Sequence, residues 1–140
     1  MGVSKGNAHW TGGLKDGQGN MKPAHAPEIG FSLGSRFEGQ PASNPEELIG
    51  AALSGCYSMA LTGALERAGL KPQGVRTSAD VSLEKQPAGF AITAIALTSE
   101  ATVPGADAAQ FQQIAEDTKK GCPVSKALAG TQITLKATLV

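Results

Sequence analysis

The chain has 140 residues, of which 41% are apolar and 17% charged, with 12 Lys plus Arg against 12 Asp plus Glu. That length suffices for one domain to bury its core without disulfide or metal staples and leaves no room for a second. The balanced charge offers no surplus of positive groups for nucleic acid or acidic lipid, and Met1 to Trp10 lacks the apolar core of a secretory signal, so a cytoplasmic protein is expected.

Residues 1–42 are rich in glycine and poor in long apolar runs, and Lys15-Asp16-Gly17-Gln18-Gly19 is a turn signal between two short extended segments. An N-terminal β meander is predicted, with Ile29, Phe31 and Leu33 alternating on one face and Arg36 at the end of that strand. Ser43-Asn44-Pro45-Glu46-Glu47 then reads as a helix start. Asn44 caps, Pro45 suits the first helical position, Glu47 has the spacing of a capping box, and both acids favour the positive end of the helix dipole. The helix is predicted to run to about Ala68, with Gly69 ending it. Its uncharged stretch of 18 residues, Leu48 to Leu65, is apolar on all sides and must be enclosed by protein or lipid. Gly50, Ser54, Gly55 and Ser58 dilute it and no second span accompanies it, which argues against a membrane.

Val75, Thr77, Ala79, Val81 and Leu83 alternate, Phe90 to Ala101 gives a longer strand, and Lys85 to Gly89 is the hairpin connection. Asp107 opens an amphipathic helix with Phe111, Ile114 and Ala115 inward, stopped at Gly121. Pro123 begins a further short helical turn to Leu128, and Ile133, Leu135, Ala137 and Leu139 mark a closing strand. The order β-β-β-α-β-β-α-α-β is α+β, read as an antiparallel sheet wrapped around a long central helix in a single domain spanning 1–140.

Chemistry concentrates in the only two cysteines, Cys56 inside the apolar helix and Cys122 in Gly-Cys-Pro. A permanent structural bridge across the 66 residues between them would stabilise the fold by about 4 kcal/mol in the chain-entropy model, but a reducing compartment favours a transient catalytic disulfide. His9 and His25 have no ligand spacing to each other or to a cysteine and read as surface histidines. Trp10 and Met59 read as packing residues, and Gly17-x-Gly19 as a turn rather than a nucleotide fingerprint.

Asn44-Pro45-Glu46-Glu47-Leu48-Ile49-Gly50-Ala51-Ala52 with Cys56 beyond it, Arg36-Phe37-Glu38-Gly39 upstream and Gly121-Cys122-Pro123-Val124-Ser125 downstream resemble the OsmC/Ohr family of thiol peroxidases. The likeness extends through Ala79-Asp80-Val81-Ser82-Leu83 and Gly89-Phe90-Ala91-Ile92-Thr93, and the position of Arg36 is closer to the osmotically inducible branch than to the organic hydroperoxide resistance branch. The resemblance implies a stress-response peroxidase acting on organic hydroperoxides and more slowly on hydrogen peroxide. It implies Cys56 as the attacking thiol, Cys122 as the resolving thiol, and an Arg36/Glu46 pair, with no metal, flavin or haem and with a thiol or dithiol as reductant.

Elementary chemistry agrees with that cycle. A thiolate attacks the O–O bond, becomes a sulfenic acid, and a second thiol condenses with it. At an ordinary pKa of about 8.5 only a few per cent of a thiol is ionised at pH 7, and burial lowers that further, so a cation is needed; Arg36 is the best candidate. Full ionisation gains only about 30-fold, so most of the rate must come from orientation and from stabilising the leaving alkoxide. Glu46 then serves to orient the arginine. Glu46 and Cys56 lie about 15 Å apart along one helix, too far to share a site within one chain. An intertwined homodimer with shared sites follows, as the resemblance also implies. Ala52, Leu53, Met59 and Ala60 are expected to wall the site and favour an alkyl or aryl hydroperoxide. Two other classes remain open: a hotdog-type thioesterase, which leaves the thiols without work, and a non-enzymatic small-molecule carrier, in which peroxide leaves them untouched.

Overall fold

The computed structural model describes residues 2–140, which form two compact units divided after Leu48. In the first, β1 (Gly6–Thr11), β2 (Gln18–Pro23) and β3 (Ile29–Phe31) make an antiparallel meander in the order β1-β2-β3. Trp10 meets Phe31 edge-on at 5.6 Å, directly over Gly19, where a Cβ would come within 2.7 Å of both rings. Glycine is required there because the aromatic pair occupies the space of a side chain.

The strand carrying Ile29 and Phe31 is shorter than predicted. Leu33 does not continue its alternation but opens α1 (Leu33–Phe37), so Arg36 stands on a short helix rather than at a strand end. The cause is a reciprocal cap. Ser32 Oγ accepts from Ser35 N at 3.1 Å while Ser35 Oγ accepts from Ser32 N at 2.9 Å, and the Ser35 hydroxyl also donates to Ser43 O at 2.8 Å, fastening α1 to the approach of the next helix.

The long helix α2 (Pro45–Arg67) starts as its sequence dictates, with Asn44 Oδ1 accepting from Glu47 N at 2.8 Å. The Glu47 carboxylate takes the Ser43 hydroxyl, at 2.8 Å, rather than closing a box on Asn44. At the other end Gly69, at φ +83°, lets Gly69 N reach Glu66 O and Leu70 N reach Leu65 O, the paired bonds of a glycine-terminated helix.

The second unit carries the core. Leu53, Tyr57, Leu61 and Leu65, one helical turn apart, are fully buried in one cluster with Ile95, Leu97, Ala101, Phe111 and Ala115. β4 (Gly74–Gln86) and β5 (Gly89–Thr102) form a long antiparallel hairpin with a register shift at Ser82/Leu83. α3 (Ala108–Gly121) begins at the Asp107 cap, α4 (Pro123–Ala127) follows, and β6 (Gln132–Leu139) completes the order β4-β5-β6.

β6 runs parallel to β5, with Leu97 opposite Leu135, which corrects the wholly antiparallel sheet expected from sequence. Alternation reports which face a residue occupies, not strand direction, and the two-helix crossover is long enough to bring the chain back in the same sense. The fold is mixed α+β, with two three-stranded sheets and four helices. α2 is long and apolar enough to cross a membrane, and 28% of its apolar window is buried inside the structure. The buried stripe leaves Ala51, Ala52, Gly55 and Met59 exposed on the same helix. Met59, at 82% exposure, is therefore not the packing residue its type suggested.

Candidate active site

Two constellations stand out, one in each unit. In the second, Cys56 lies half-buried on α2 and Cys122 is buried at the junction of α3 and α4. Proline at the first position of α4 excludes its predecessor from helical geometry, so Cys122 (φ −60°, ψ 130°) breaks the two helices apart and closes one while opening the other. Its sulfur shares a hydrogen bond with the Cys56 sulfur, the two lying 2.6 Å apart. The two sulfurs are thus within direct reach of one another for disulfide formation.

Bonds on both flanks hold α2 in that position. The Tyr57 hydroxyl, next to Cys56 in sequence and fully buried, donates to Ala115 O of α3 at 3.0 Å. On the sheet side Ser58 Oγ donates to Thr77 Oγ1 at 2.8 Å, and Thr77 and the fully buried Ser99 exchange a bond of 3.0 Å. The cysteine-bearing turn is thus tied to α3, β4 and β5 together. Sequence reading missed these anchors, although a tyrosine and a serine flanking a helical cysteine were there to be seen. Leu53, expected as a wall of the site, belongs to the core instead.

The two thiols differ in setting. Burial, joined by the hydrogen bond in which the Cys56 thiol serves the Cys122 sulfur, pushes the Cys56 thiol above its ordinary value. Burial acts in the same sense on Cys122, but hydrogen bonding with Cys56, the backbone and hydroxyl of Ser125 and the backbone of Val124 outweighs it and brings that thiol below the ordinary value. Cys122 also borders an open cleft of about 310 Å³ shared with Ala60, Ala64, Arg67, Ile114 and Asp117.

In the first unit, Arg36 on α1 donates to Glu46 in the first turn of α2. Nε and Nη2 reach the same oxygen, Oε1, at 2.9 and 2.7 Å. Glu46 is buried and its Oε2 has no partner among the described residues, while the guanidinium is exposed and lies 5.2 Å from the Phe37 ring centroid. The acid thus fixes one edge of the guanidinium and leaves Nη1 uncommitted to Glu46. The four residues singled out from sequence therefore form two pairs, Cys56 with Cys122 and Arg36 with Glu46, each assembled within one unit.

Residues 37–137 match the family described as OsmC-like protein. The chain is 50% identical over 133 residues to "Peroxiredoxin OsmC" of Escherichia coli (strain K12), covering 94% of this chain and 92% of that protein. It is 30% identical over 93 residues, 66% of this chain and 63% of that protein, to "Organic hydroperoxide resistance protein" of Xanthomonas axonopodis pv. citri (strain 306). Among solved structures, an organic hydroperoxide resistance protein from Elizabethkingia anophelis superposes with TM-score 0.74 at 25% identity, over 99% of this chain and 96% of that one. An OsmC from Legionella pneumophila shares the fold with TM-score 0.75 at 20% identity, over 100% of this chain and 98% of that one. Sequence and fold agree that the chain belongs to the OsmC-like protein family.

Proposed function

We propose that this protein is a thiol-dependent peroxidase that reduces organic hydroperoxides, and hydrogen peroxide more slowly, in the cytoplasm. The observation that carries the reading is the approach of two free sulfurs, from residues 66 apart in sequence, to 2.6 Å. The Cys56 thiolate attacks the outer peroxide oxygen, the O–O bond breaks, and the alkoxide takes a proton to leave as alcohol. Cys56 sulfenic acid then condenses with the Cys122 thiol, releasing water and forming the disulfide. A thiol or dithiol returns both sulfurs to the reduced state.

Cys56 is the poorer acid of the two, so its ionisation calls for a cation. Arg36 supplies it, holds the peroxide and stabilises the departing alkoxide, and Glu46 holds the arginine in place. The partnership of Arg36 and Glu46 within one chain means that they act as a unit. Glu46 stands about 15 Å along α2 from Cys56 by helical rise, which supports a homodimer in which each pair serves the thiol of the other copy. The exposed apolar face at Ala51, Ala52, Gly55 and Met59 is the surface a second copy would cover, with the strands wrapped about the paired helices in one continuous domain.

Adding one equivalent of an alkyl hydroperoxide to reduced protein tests the cycle. Two thiols should disappear, the mass should fall by two hydrogens, and one equivalent of alcohol should form. Unchanged thiols would leave the carrier reading, and thioester hydrolysis with unchanged thiols the thioesterase. Cys56→Ser should abolish turnover, whereas Cys122→Ser should give one fast turnover and leave Cys56 oxidised. The shared site has its own test. Glu46→Ala chains refolded with Cys56→Ser chains should regain activity through heterodimers, and inactive heterodimers would overturn it.

A further inference from the structure

Resting on the peroxidase reading, we infer that the reductant is a small thiol of amino-acid type, bearing a carboxylate and an ammonium group, which enters the cleft bordered by α2 and α3 and attacks Cys122. Peroxide and reductant then use separate doors.

The disulfide offers two sulfurs in unlike surroundings. The exposed side of Cys56 lies on the face of α2 that a second copy would cover, with Gly55 and Met59 beside it. Cys122 is only 1% exposed, too deep for a thiol fixed on the surface of another protein, yet it lines an open cleft of about 310 Å³. Cys56, one turn before Ala60, is not among the residues that line that cleft. The volume stands at the lower end of the roughly 300–1,000 Å³ of small-molecule sites. Small residues keep the space open. Ala60 and Ala64 line it from α2, and a Cβ added to Gly121 would meet nothing within 4 Å.

Charge gives the chemical class. Arg67, in the last turn of α2, and Asp117, on α3, both border the cleft. Among the described residues Arg67 has no ion pair, and the Asp117 carboxylate receives only the Gln113 amide, at 3.0 Å. One cation and one anion, each from a different helix, suit a zwitterion. Its carboxylate takes Arg67 and its ammonium takes Asp117 while its thiol reaches inward to Cys122.

The exchange balances in two steps. The reductant thiolate bonds to the Cys122 sulfur, the Cys56–Cys122 bond breaks, and its electron pair passes to Cys56. A second thiolate attacks the reductant's sulfur in the mixed disulfide, releasing the reductant's disulfide and the Cys122 thiolate, which takes a proton. Cys56 is the poorer acid of the two and the slower to leave, so access rather than acidity selects the sulfur attacked. This route returns the electron pair to the sulfur that meets the next peroxide.

The experiment oxidises the wild-type protein with one equivalent of diamide, which closes the disulfide whether or not peroxide is a substrate. L-Cysteine is added, samples are quenched in acid at successive times, free thiols are blocked with N-ethylmaleimide, and peptides are weighed. The earliest adduct should carry cysteine on Cys122 and the blocking group on Cys56; the reverse pattern, or adducts divided evenly, overturns the proposal. Rates corrected to the thiolate fraction should place L-cysteine first, 3-mercaptopropionate and cysteamine next, and 2-mercaptoethanol last. Arg67→Gln should slow the two carboxylate-bearing thiols by about two- to fivefold, the scale of an exposed ion pair, and leave the other two unchanged. A slowing common to all four would make Arg67 a structural residue and remove the charge assignment. Ala64→Leu and Gly121→Leu, each shown to be folded by circular dichroism, should slow reduction by every thiol about tenfold while cumene hydroperoxide oxidises the reduced variants at the wild-type rate. Wild-type reduction rates in both variants would rule out the cleft as the route.

Discussion

From Ile49 onward lie all the large, fully buried side chains, Tyr57, Phe111, Leu53, Leu61, Leu65, Ile95 and Leu97 among them. Before that boundary the buried residues are Gly19, Gly34, Ser35 and Glu46, none of them apolar and large. The first unit is held by local bonds: the Ser32/Ser35 cap, the Asn44 cap and the arginine–glutamate pair. Each such bond contributes about 1 kcal/mol, whereas a buried aromatic contributes several. The thiols accordingly sit where loss of a side chain is felt by the whole unit, and the guanidinium sits where a change stays local.

The largest expected effect tests the first half of that contrast. Phe111→Ala should cost about 3–5 kcal/mol, read as a lowered urea midpoint; a loss under about 1 kcal/mol would show that the core is not what holds the second unit. Arg36→Ala should lower that midpoint less, by the equivalent of about 1 kcal/mol for its bond to Glu46, yet lower peroxidase efficiency by about 10²–10³, the scale of losing a charge-stabilising donor. If raising the pH restores full turnover, the arginine serves only to ionise Cys56 and the alkoxide role falls.

Tyr57→Phe sharpens the contrast, since it removes only a hydroxyl and should cost about 1 kcal/mol. Burial pushes the Tyr57 phenol up, with Glu116 and Cys122 nearby acting in the same sense. A raised folded value means that its stabilisation is complete below the unfolded pKa of about 10 and is lost as pH rises beyond it. Alkaline unfolding scans should show that loss in the wild type and lack it in Tyr57→Phe. Ser32→Ala is the smallest, about 0.5–1 kcal/mol. It should speed amide exchange in α1 while leaving exchange in the Leu53–Leu65 core unchanged; an equal loss in both would erase the distinction between the units.

Periodicity and caps carried most of the fold. Asp107 and Asn44 are legible because an N-cap needs only its own side chain, and the alternation of β4 and β6 is legible because one face is buried. α1 was hidden by its brevity, by glycine at its second position, and by a box closed with serine where glutamate or glutamine is usual. The direction of β6 was hidden because alternation is the same forwards and backwards. At the site, residue types pointed to thiol chemistry, but nothing in the spacing of Cys56 and Cys122 brings them together; that expectation came from the family resemblance.

The parallel return of β6 has a consequence for a newly made chain. Cys122 lies in the crossover between β5 and β6, so its position is secured only when the last strand has docked beside β5. Pairings of this kind join distant parts of the sequence and are slow to form. Until then the chain holds an oxidisable Cys56 without its companion in reach. Oxidant met during synthesis would drive that sulfur toward sulfinic and sulfonic acids, so the interval before β6 docks is when the protein is most open to permanent loss.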